Sequence, residues 1–396
     1  MSFDYDVMVV GAGPVGSTIA YYLSRNGLNV AISEKKSEVG YPLQCAGILS
    51  KHIFEKNELP DEVIINTVHG AFLHTQNHIL NVETQENVAY VIDRIAYDQF
   101  LLNRATENGV DLINQKVVDV DTEEGITYFS NNQFITSKII IACDGHSSKI
   151  ASKIGNEQKS YHASQMLVSI DDENMGNFRK SDKKKDDYVD TFLSEEILPG
   201  FLWIIPLENN TYRVGLFSNQ SHKNQDVTLM DLLNENFEYE ILERYKGFIP
   251  FFNDKNQLVK DRVIMVGDAA SQIKPTSGGG LLIAFDSCKI SSKYVLEAIK
   301  NDDINILEGY QKEFNDKYLK EFSYQFKVQK TLNLLNDDDL DYLFEKLKRN
   351  DCERIISEYG DMDNQSALVK EFIKRGLIFK IIPTFLFKKV TNIFGF

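Results

Sequence analysis

The sequence predicts a multi-domain α/β protein: an open parallel sheet assembled from distant segments, an antiparallel sheet inserted into it, and a helical C-terminal region. Three observations carry that expectation. Continuous apolar runs at Asp6–Val10, Val30–Ser33, Ser137–Ala142 and Arg262–Val266 read as strands buried on both faces, as a parallel sheet requires. Val68–Tyr90 and Ser164–Phe217 alternate apolar and polar residues between turn signals, as in Thr211–Phe217 (TYRVGLF), which suits an antiparallel sheet. From Ser287 to about Glu358 the spacing is helical and strongly charged.

With 396 residues the chain exceeds one compact core, since domains run to about 100–200 residues. The expected division is 1–67, 91–155 and 256–300 for the parallel-sheet domain, 68–90 and 156–255 for the antiparallel-sheet domain, and 301–396 for the helical region. Hydrophobic residues at 43% and charged residues at 26% exclude wholesale disorder. A formal charge of −15 argues against nucleic acid as a partner. Four cysteines, Cys45, Cys143, Cys288 and Cys352, form no CxxC pair, so neither a disulfide scaffold nor a zinc or iron–sulfur site is expected. The start, MSFDYDVMVVGAG, has acids where a secretory signal needs basic residues, and no run approaches about 18 uninterrupted apolar residues. These features suggest a cytoplasmic chain, with a reservation at its end. Gly376–Phe396 carries Lys380, Lys388 and Lys389, no acid, and an interrupting Pro383. It suits either a segment lying peripherally on a membrane surface or a helix packed on the protein. The mixed run Arg179–Asp187 (RKSDKKKDD) is expected to be a solvated loop.

Taken in order, the first strand leads into Gly11–Gly16 (GAGPVG), a GxGxxG turn, and then into a helix with apolar Ile19, Ala20 and Leu23 that ends at Asn26–Gly27. The glycines at 11, 13 and 16 allow a tight turn, close approach of a pyrophosphate, and close helix–strand packing; Pro14 and Val15 open the helix whose N-terminus attracts the anion. Val30–Ser33 then closes on Glu34, eighteen residues beyond Gly16, where a carboxylate accepts ribose hydroxyls. An acid there favours FAD or NAD over NADP. Further on, Gly267–Phe285 (GDAASQIKPTSGGGLLIAF) couples Asp268 at a strand end to a glycine-rich turn and a helix opening near Gly280–Ala284. Asp268 suits a ribityl chain, and that helix N-terminus suits the N1–C2=O edge of an isoalloxazine, whose negative charge grows on reduction.

With these residues in place, the sequence resembles glutathione-reductase-type flavoproteins of the hydroxybenzoate-hydroxylase branch. The GxGxxG start, Asp93–Arg94 before a helix, the Cys143–Asp144–Gly145 turn and the GDAA…P…GGG segment carry the resemblance. More narrowly, it resembles the geranylgeranyl reductases, including the archaeal digeranylgeranylglycerophospholipid reductases. Tyr41–Ser50 (YPLQCAGILS) matches that family's cysteine segment, and Pro199–Leu207 (PGFLWIIPL) resembles its YxWxFP signature, with Phe201 and Ile205 replacing Tyr and Phe. The segment after Cys45 reads Ala46–Gly47–Ile48, without the acidic residue some members of the family carry. The match is good over about residues 1–300 and loose beyond.

The resemblance implies FAD as cofactor, held by Gly11, Gly13, Pro14, Val15, Gly16, Glu34, Lys35, Cys45, Ala46, Ile48, Arg94, Val118, Asp144, Gly145, Asp268, Gly279, Gly280 and Leu281. It places Phe201, Trp203 and Pro206 at an isoprenoid lipid substrate. It implies saturation of geranylgeranyl double bonds in a membrane-lipid precursor, by hydride from flavin N5 plus a proton. Cys45, expected in apolar surroundings that keep it a thiol, is either the proton donor or a residue packed on the flavin. The flavin's electrons are expected from an external donor, NAD(P)H, ferredoxin or deazaflavin. An aromatic-ring monooxygenase of the same fold, or a flavin electron-transfer or membrane-associated protein without catalysis, remains open on the sequence.

Overall fold

Val7, Met8 and Val9 are fully buried in the first strand, which therefore belongs at the centre of a sheet. The computed structural model describes residues 3–381 apart from 85, 87, 172–174, 176, 177 and 180–186, and beyond 381 residue 393. Its strands begin with Tyr5–Val10 (β1), Val30–Ser33 (β2), Ile48–Ser50 (β3), Ile64–Val68 (β4), Gly70–His74 (β5) and Ile79–Glu83 (β6). Next come Ala89–Ile92 (β7), Asp111–Ile113 (β8), Val117–Asp121 (β9), Ile126–Phe129 (β10) and Phe134–Ala142 (β11). Then follow Ser160–Ile170 (β12), Tyr188–Phe192 (β13), Leu202–Pro206 (β14), Thr211–Ser218 (β15), Tyr239–Pro250 (β16), Val259–Lys260 (β17) and Val263–Met265 (β18). The longer helices are Pro14–Arg25 (α1), Arg94–Glu107 (α2), His222–Asn236 (α3), Leu281–Asn301 (α4), Glu308–Leu332 (α5), Asp337–Arg349 (α6), Cys352–Tyr359 (α7) and Ser366–Lys374 (α8).

The first sheet has the order β17-β18-β11-β1-β2-β8. β1 runs parallel to β2 (Val7↔Val30) and to β11 (Tyr5↔Ser137), and β11 parallel to β18 (Ile140↔Val263). The four apolar runs in the sequence therefore lie side by side, although they are far apart in the chain. Helices α1 and α4 pack on this sheet, with Ile19, Leu23, Cys288 and Val295 in one core with the strands. The helical region contributes to that core as well: Tyr310 and Phe314 of α5 are buried in it, and the Tyr310 hydroxyl donates to the Met265 carbonyl at 3.0 Å.

The second sheet has the order β16-β12-β15-β14-β13-β5-β6. It is not purely antiparallel, as the alternation suggested, because β5 and β13 pair parallel from Tyr188↔Gly70 to Phe192↔His74. These two strands come from separate passes of the chain with β6 to β12 between them, so no hairpin forces them to oppose. Along β14 the period of two separates two faces. Leu202 and Ile204 face α3, packing with Leu229 and Leu233, while Trp203 and Ile205 enter a second cluster with Phe217 and Tyr161. A small sheet, β3-β7-β4, lies between the two large ones in the chain path and carries the segment after Cys45.

Arg179, expected on a solvated loop, is buried at 2% exposure; it pairs with Asp190 on β13, which also holds His74 of β5 at 2.8 Å. A guanidinium taken out of water needs a carboxylate partner, and the sequence run did not reveal one sitting three residues beyond it. Residues 180–186 of that run lie outside the described residues. Helices α6 to α8 pack through Phe344, Cys352, Ile355 and Phe372 against Leu80 of β6. The first part of the C-terminal tail joins them, with Leu377 and Ile381 buried in the same cluster. The rest of the tail, with Pro383, Lys388 and Lys389, lies outside the described residues. No helix among the described residues is long and apolar enough to cross a membrane.

Candidate active site

The glycine turn after β1 is built to the tolerance of an atom. A Cβ on Gly16 would stand 1.9 Å from the Gly11 carbonyl oxygen, and one on Gly11, whose φ is +99°, would stand 2.5 Å from the Cys143 oxygen. Both positions exclude any side chain, because the helix, the turn and the β11 end close on each other there. Gly13 differs: nothing lies within 4 Å of its Cβ position. It is the N-cap of α1, makes no side-chain cap bond, and is followed by Pro14 at the first helical position. The first-turn N–H groups of Val15 and Gly16 are therefore not taken up by a capping side chain. Glu34 holds the turn from beside it, accepting the Ala12 N–H at 3.0 Å and the Lys36 N–H at 2.9 Å. Lys35 is exposed, and its charge acts on His146, whose pKa burial and Lys35 push down.

Two further turns converge on the same trough. After β11, Asp144 accepts the Lys149 N–H through Oδ2 at 3.1 Å, while its buried Oδ1 makes no hydrogen bond among the described residues; burial raises its pKa against the hydrogen bonds that lower it. Gly145 follows at φ +82° with open space at its Cβ position. After β18, Gly267 packs against Val15, and Asp268 opens onto the cleft. The surrounding protein desolvates that carboxylate and raises its pKa, while Arg94 pulls it back. Gly280 caps α4, again with no side-chain acceptor, so no cap side chain pairs the N–H groups of the first turn beginning at Leu281. A Cβ on Gly280 would lie 3.4 Å from Asp268 Oδ1, and Gly279 sits beside Lys274. An orphaned buried carboxylate oxygen, open space at two glycines and two bare helix N-termini fit an extended dinucleotide carrying a pyrophosphate and a hydrogen-bonding ring edge.

The cysteine segment forms the wall opposite. Asp93 caps α2 by accepting the Ile95 and Ala96 N–H groups, which sets Arg94 as the first helical residue, fixed on Asp98 at 2.9 Å. Burial opposes the Arg94 charge, and Asp98 with Cys45 outweigh it, so its pKa stands above the ordinary value. Arg213, reaching in from β15, donates to the Ala46 carbonyl at 2.9 Å and the Ile92 carbonyl at 3.1 Å. Gly47, at φ +73°, leaves the space that Arg213 occupies. The Cys45 sulfur accepts the Gly47 N–H at 3.4 Å and acts electrostatically on both guanidinium groups. The apolar surroundings expected for Cys45 are therefore corrected to cationic ones. The expectation failed because both arginines come from elements distant in sequence.

Trp203 is tied to this loop through one side chain. Its Nε1–H donates to Gln165 Oε1 at 3.1 Å, and Gln165 Nε2 donates to the Cys45 carbonyl at 3.5 Å. Phe201, Trp203, Ala46 and Ile48 share one apolar cluster, so substrate-sheet aromatics and the cysteine segment form a common wall. Pro206, at the far end of β14, instead accepts from Asn66 at 3.3 Å, and Val118 is half-buried on β9. Neither is joined by a described contact to the cysteine wall. Arg213, Gln165, Gly47 and Gly215 were missed in the sequence. The signal for Arg213 was present: a charged residue at an inward position of the apolar strand TYRVGLF.

A family model described as "FAD binding domain" matches residues 4–313. The chain belongs to that family, and FAD is the cofactor its trough accommodates. A protein of Methanocaldococcus jannaschii described only as uncharacterized is 31% identical over 97% of this chain and 99% of its own length. Digeranylgeranylglycerophospholipid reductase 1 of Methanococcoides burtonii is 29% identical, covering 90% of each chain. Among solved structures, a geranylgeranyl bacteriochlorophyll reductase-like protein from Thermoplasma acidophilum superposes with a TM-score of 0.83 at 23% identity, covering 98% of this chain and 99% of that one. A flavin-dependent brominase shares the fold at a TM-score of 0.67 and 15% identity, over 94% and 98% of the two chains.

Proposed function

We propose that this FAD-binding chain is an oxidoreductase that saturates isoprenoid double bonds, of the geranylgeranyl type, in a membrane-lipid precursor. The observation that carries the reading is the shared apolar wall of Ala46, Ile48, Phe201 and Trp203, set on the cysteine segment beside the FAD trough. Relatives named as digeranylgeranylglycerophospholipid reductases support it. Bound FAD, once reduced, supplies a hydride from N5. An isoprenoid alkene is unpolarised, so its second carbon must gain a proton in nearly the same event. Cys45 is the proposed donor of that proton from its S–H. Arg94 and Arg213 stabilise the thiolate left behind, and the Gly47 N–H gives it a hydrogen bond. Trp203 and Phe201 hold the polyprenyl chain and exclude water. Gln165 fixes the indole relative to the Cys45 carbonyl. An external donor, NAD(P)H, a ferredoxin or a deazaflavin, restores the electrons, and the tail beyond Ile381 contacts the membrane that holds the substrate.

The test is transient-state absorbance at the flavin band with a geranylgeranyl lipid as oxidant. Cys45→Ala is expected to bind FAD and bleach with dithionite as the parent does, while lipid-driven reoxidation slows by about 10²–10⁴-fold. Reoxidation at the parent rate would reduce Cys45 to packing. Parent protein that leaves the lipid unsaturated by mass spectrometry, or hydroxylates a phenol with rapid oxygen uptake, would overturn the function itself.

A further inference from the structure

The glycine turn that leads into α4 is gripped from outside its own domain. Lys274 closes the turn with its backbone: its N–H donates to the Gly279 carbonyl at 3.1 Å and its carbonyl accepts the Gly278 N–H at 2.9 Å. Its side chain runs the other way. The ammonium, on a residue only 8% exposed, donates to Asp363 Oδ1 at 2.7 Å and to the Met362 carbonyl at 2.9 Å. The next two residues are held similarly from α5. Gln329 donates to the Pro275 carbonyl, and Thr276 Oγ1 meets Gln325 Oε1 at 3.4 Å. Gln325 also donates to the Asp363 carbonyl at 3.4 Å, so the two anchors are one network. Asp363 further accepts the hydroxyl of Ser50, on the strand that continues the cysteine segment. Thus one loop between α7 and α8 ties the flavin turn to the wall that carries Cys45.

Three glycines in succession have no side chains with which to fix their own conformation. A buried ammonium is costly and stays only when paired and hydrogen-bonded, as this one is. His52, Asp361 and Asp363 bring ligand atoms within 4.8 Å of one another, but the Lys274 ammonium already occupies Asp363, so the cluster is an ion-pair network and not a cation site.

We infer that Lys274, held by Asp363, is a positioning residue: it fixes Gly278–Gly280 and the N-terminus of α4 against bound FAD, and so sets how strongly the site prefers reduced over oxidised FAD. This rests on FAD lying with its ring edge at α4. The N–H groups of the first turn favour negative charge, and their worth there depends on alignment that the glycines alone do not hold.

The test uses full-length holoprotein. Lys274→Met is expected to retain FAD while its preference for the reduced form falls about tenfold, a drop of about 30 mV in the two-electron midpoint potential. Its affinity for sulfite, which reports electron demand at the ring, is expected to fall about tenfold as well. Lys274→Arg should recover most of both, and Asp363→Asn should reproduce the loss. If the single variants do not fold, the Lys274→Met/Asp363→Leu double variant leaves no lone buried charge and is expected to show the same shift. Parent-like potential and sulfite affinity in any FAD-bound variant lacking the pair would overturn the inference. Parent protein unable to take up FAD would instead remove the reading beneath it.

Discussion

In the parallel sheet the walls of the site are backbone: Gly11 closes on the Cys143 carbonyl and Gly16 on the Gly11 carbonyl. In the second sheet they are side chains. Trp203 lies over Gly215, where a Cβ would stand 2.6 Å from Cζ2, and Asp190 gathers His74 and Arg179 in the interior. A backbone wall demands one residue type at a fixed spacing and suits a pyrophosphate, which does not change with the substrate. A side-chain wall admits many solutions and can be recut for a different substrate. The likeness in fold between this chain and a flavin-dependent brominase follows from that division, since the trough constrains the scaffold and the second sheet does not.

The comparison breaks most visibly at Gly16 and Gly13, two residues of one motif with opposite surroundings. Gly16→Val is expected to yield no folded protein, a loss beyond about 3 kcal/mol, because the Gly11 carbonyl cannot yield. Gly13→Val, pointing into open space, should keep the parent's melting temperature to within about 0.5 kcal/mol of stability and yet bind no FAD. Thermal denaturation of the apoproteins and flavin absorbance after reconstitution separate the two. A yellow Gly13→Val protein would mean the trough lies elsewhere.

In the side-chain half, Asp190→Asn should destabilise by about 3–5 kcal/mol in urea, since the buried Arg179 and His74 would both lose the carboxylate they share. A loss below about 1 kcal/mol would show that the second sheet does not depend on this trio. Gly215→Ala should cost about 1–3 kcal/mol and shift the emission of the protein's single tryptophan, because the indole of Trp203 must move. Unchanged emission would mean the strands part instead.

The smallest effect concerns Asp268. Desolvation by the protein around the cleft raises its carboxyl above the ordinary value, so in the apoprotein its ionised form opposes folding above that raised pKa, weakly because the side chain meets water. The penalty fades as pH falls through the folded value and is gone below the unfolded value near 3.9. Asp268→Asn should therefore stabilise the apoprotein at neutral pH, with the gain vanishing below about pH 4. An equal gain at every pH would remove desolvation as the cause.

The parallel sheet and its glycine turns were legible because their constraints are local. Gly11 to Gly16, Glu34 and the segment from Gly267 each announce a backbone need within a short stretch of chain. What stayed hidden was set by residues that meet only in the fold. The parallel pairing of β5 with β13 depends on two separate passes of the chain, and neither strand's pattern encodes its partner's direction. Cys45 has Ala46, Gly47 and Ile48 as its neighbours in sequence, while the charged groups set against it, Arg94 and Arg213, come from elsewhere in the chain. Arg179 looked solvated amid lysines, and only the fold brings it to Asp190. The tail's apolar residues were visible, but their destination against Leu80 was not.

The position of β1 at the middle of its sheet has a consequence for how the protein is made. Its two outer neighbours on one side, β11 and β18, end at Ala142 and Met265, so the ribosome must deliver about two thirds of the chain before the sheet is complete. At about 5–20 residues per second that wait lasts tens of seconds, during which an apolar N-terminal strand has only part of its cover. The final turn, the one that brings Asp268 and the head of α4, arrives last. Cofactor capture then waits until the chain is made through the head of α4, and FAD, by binding only the folded form, shortens the time the newborn chain stands exposed to chaperones and proteases.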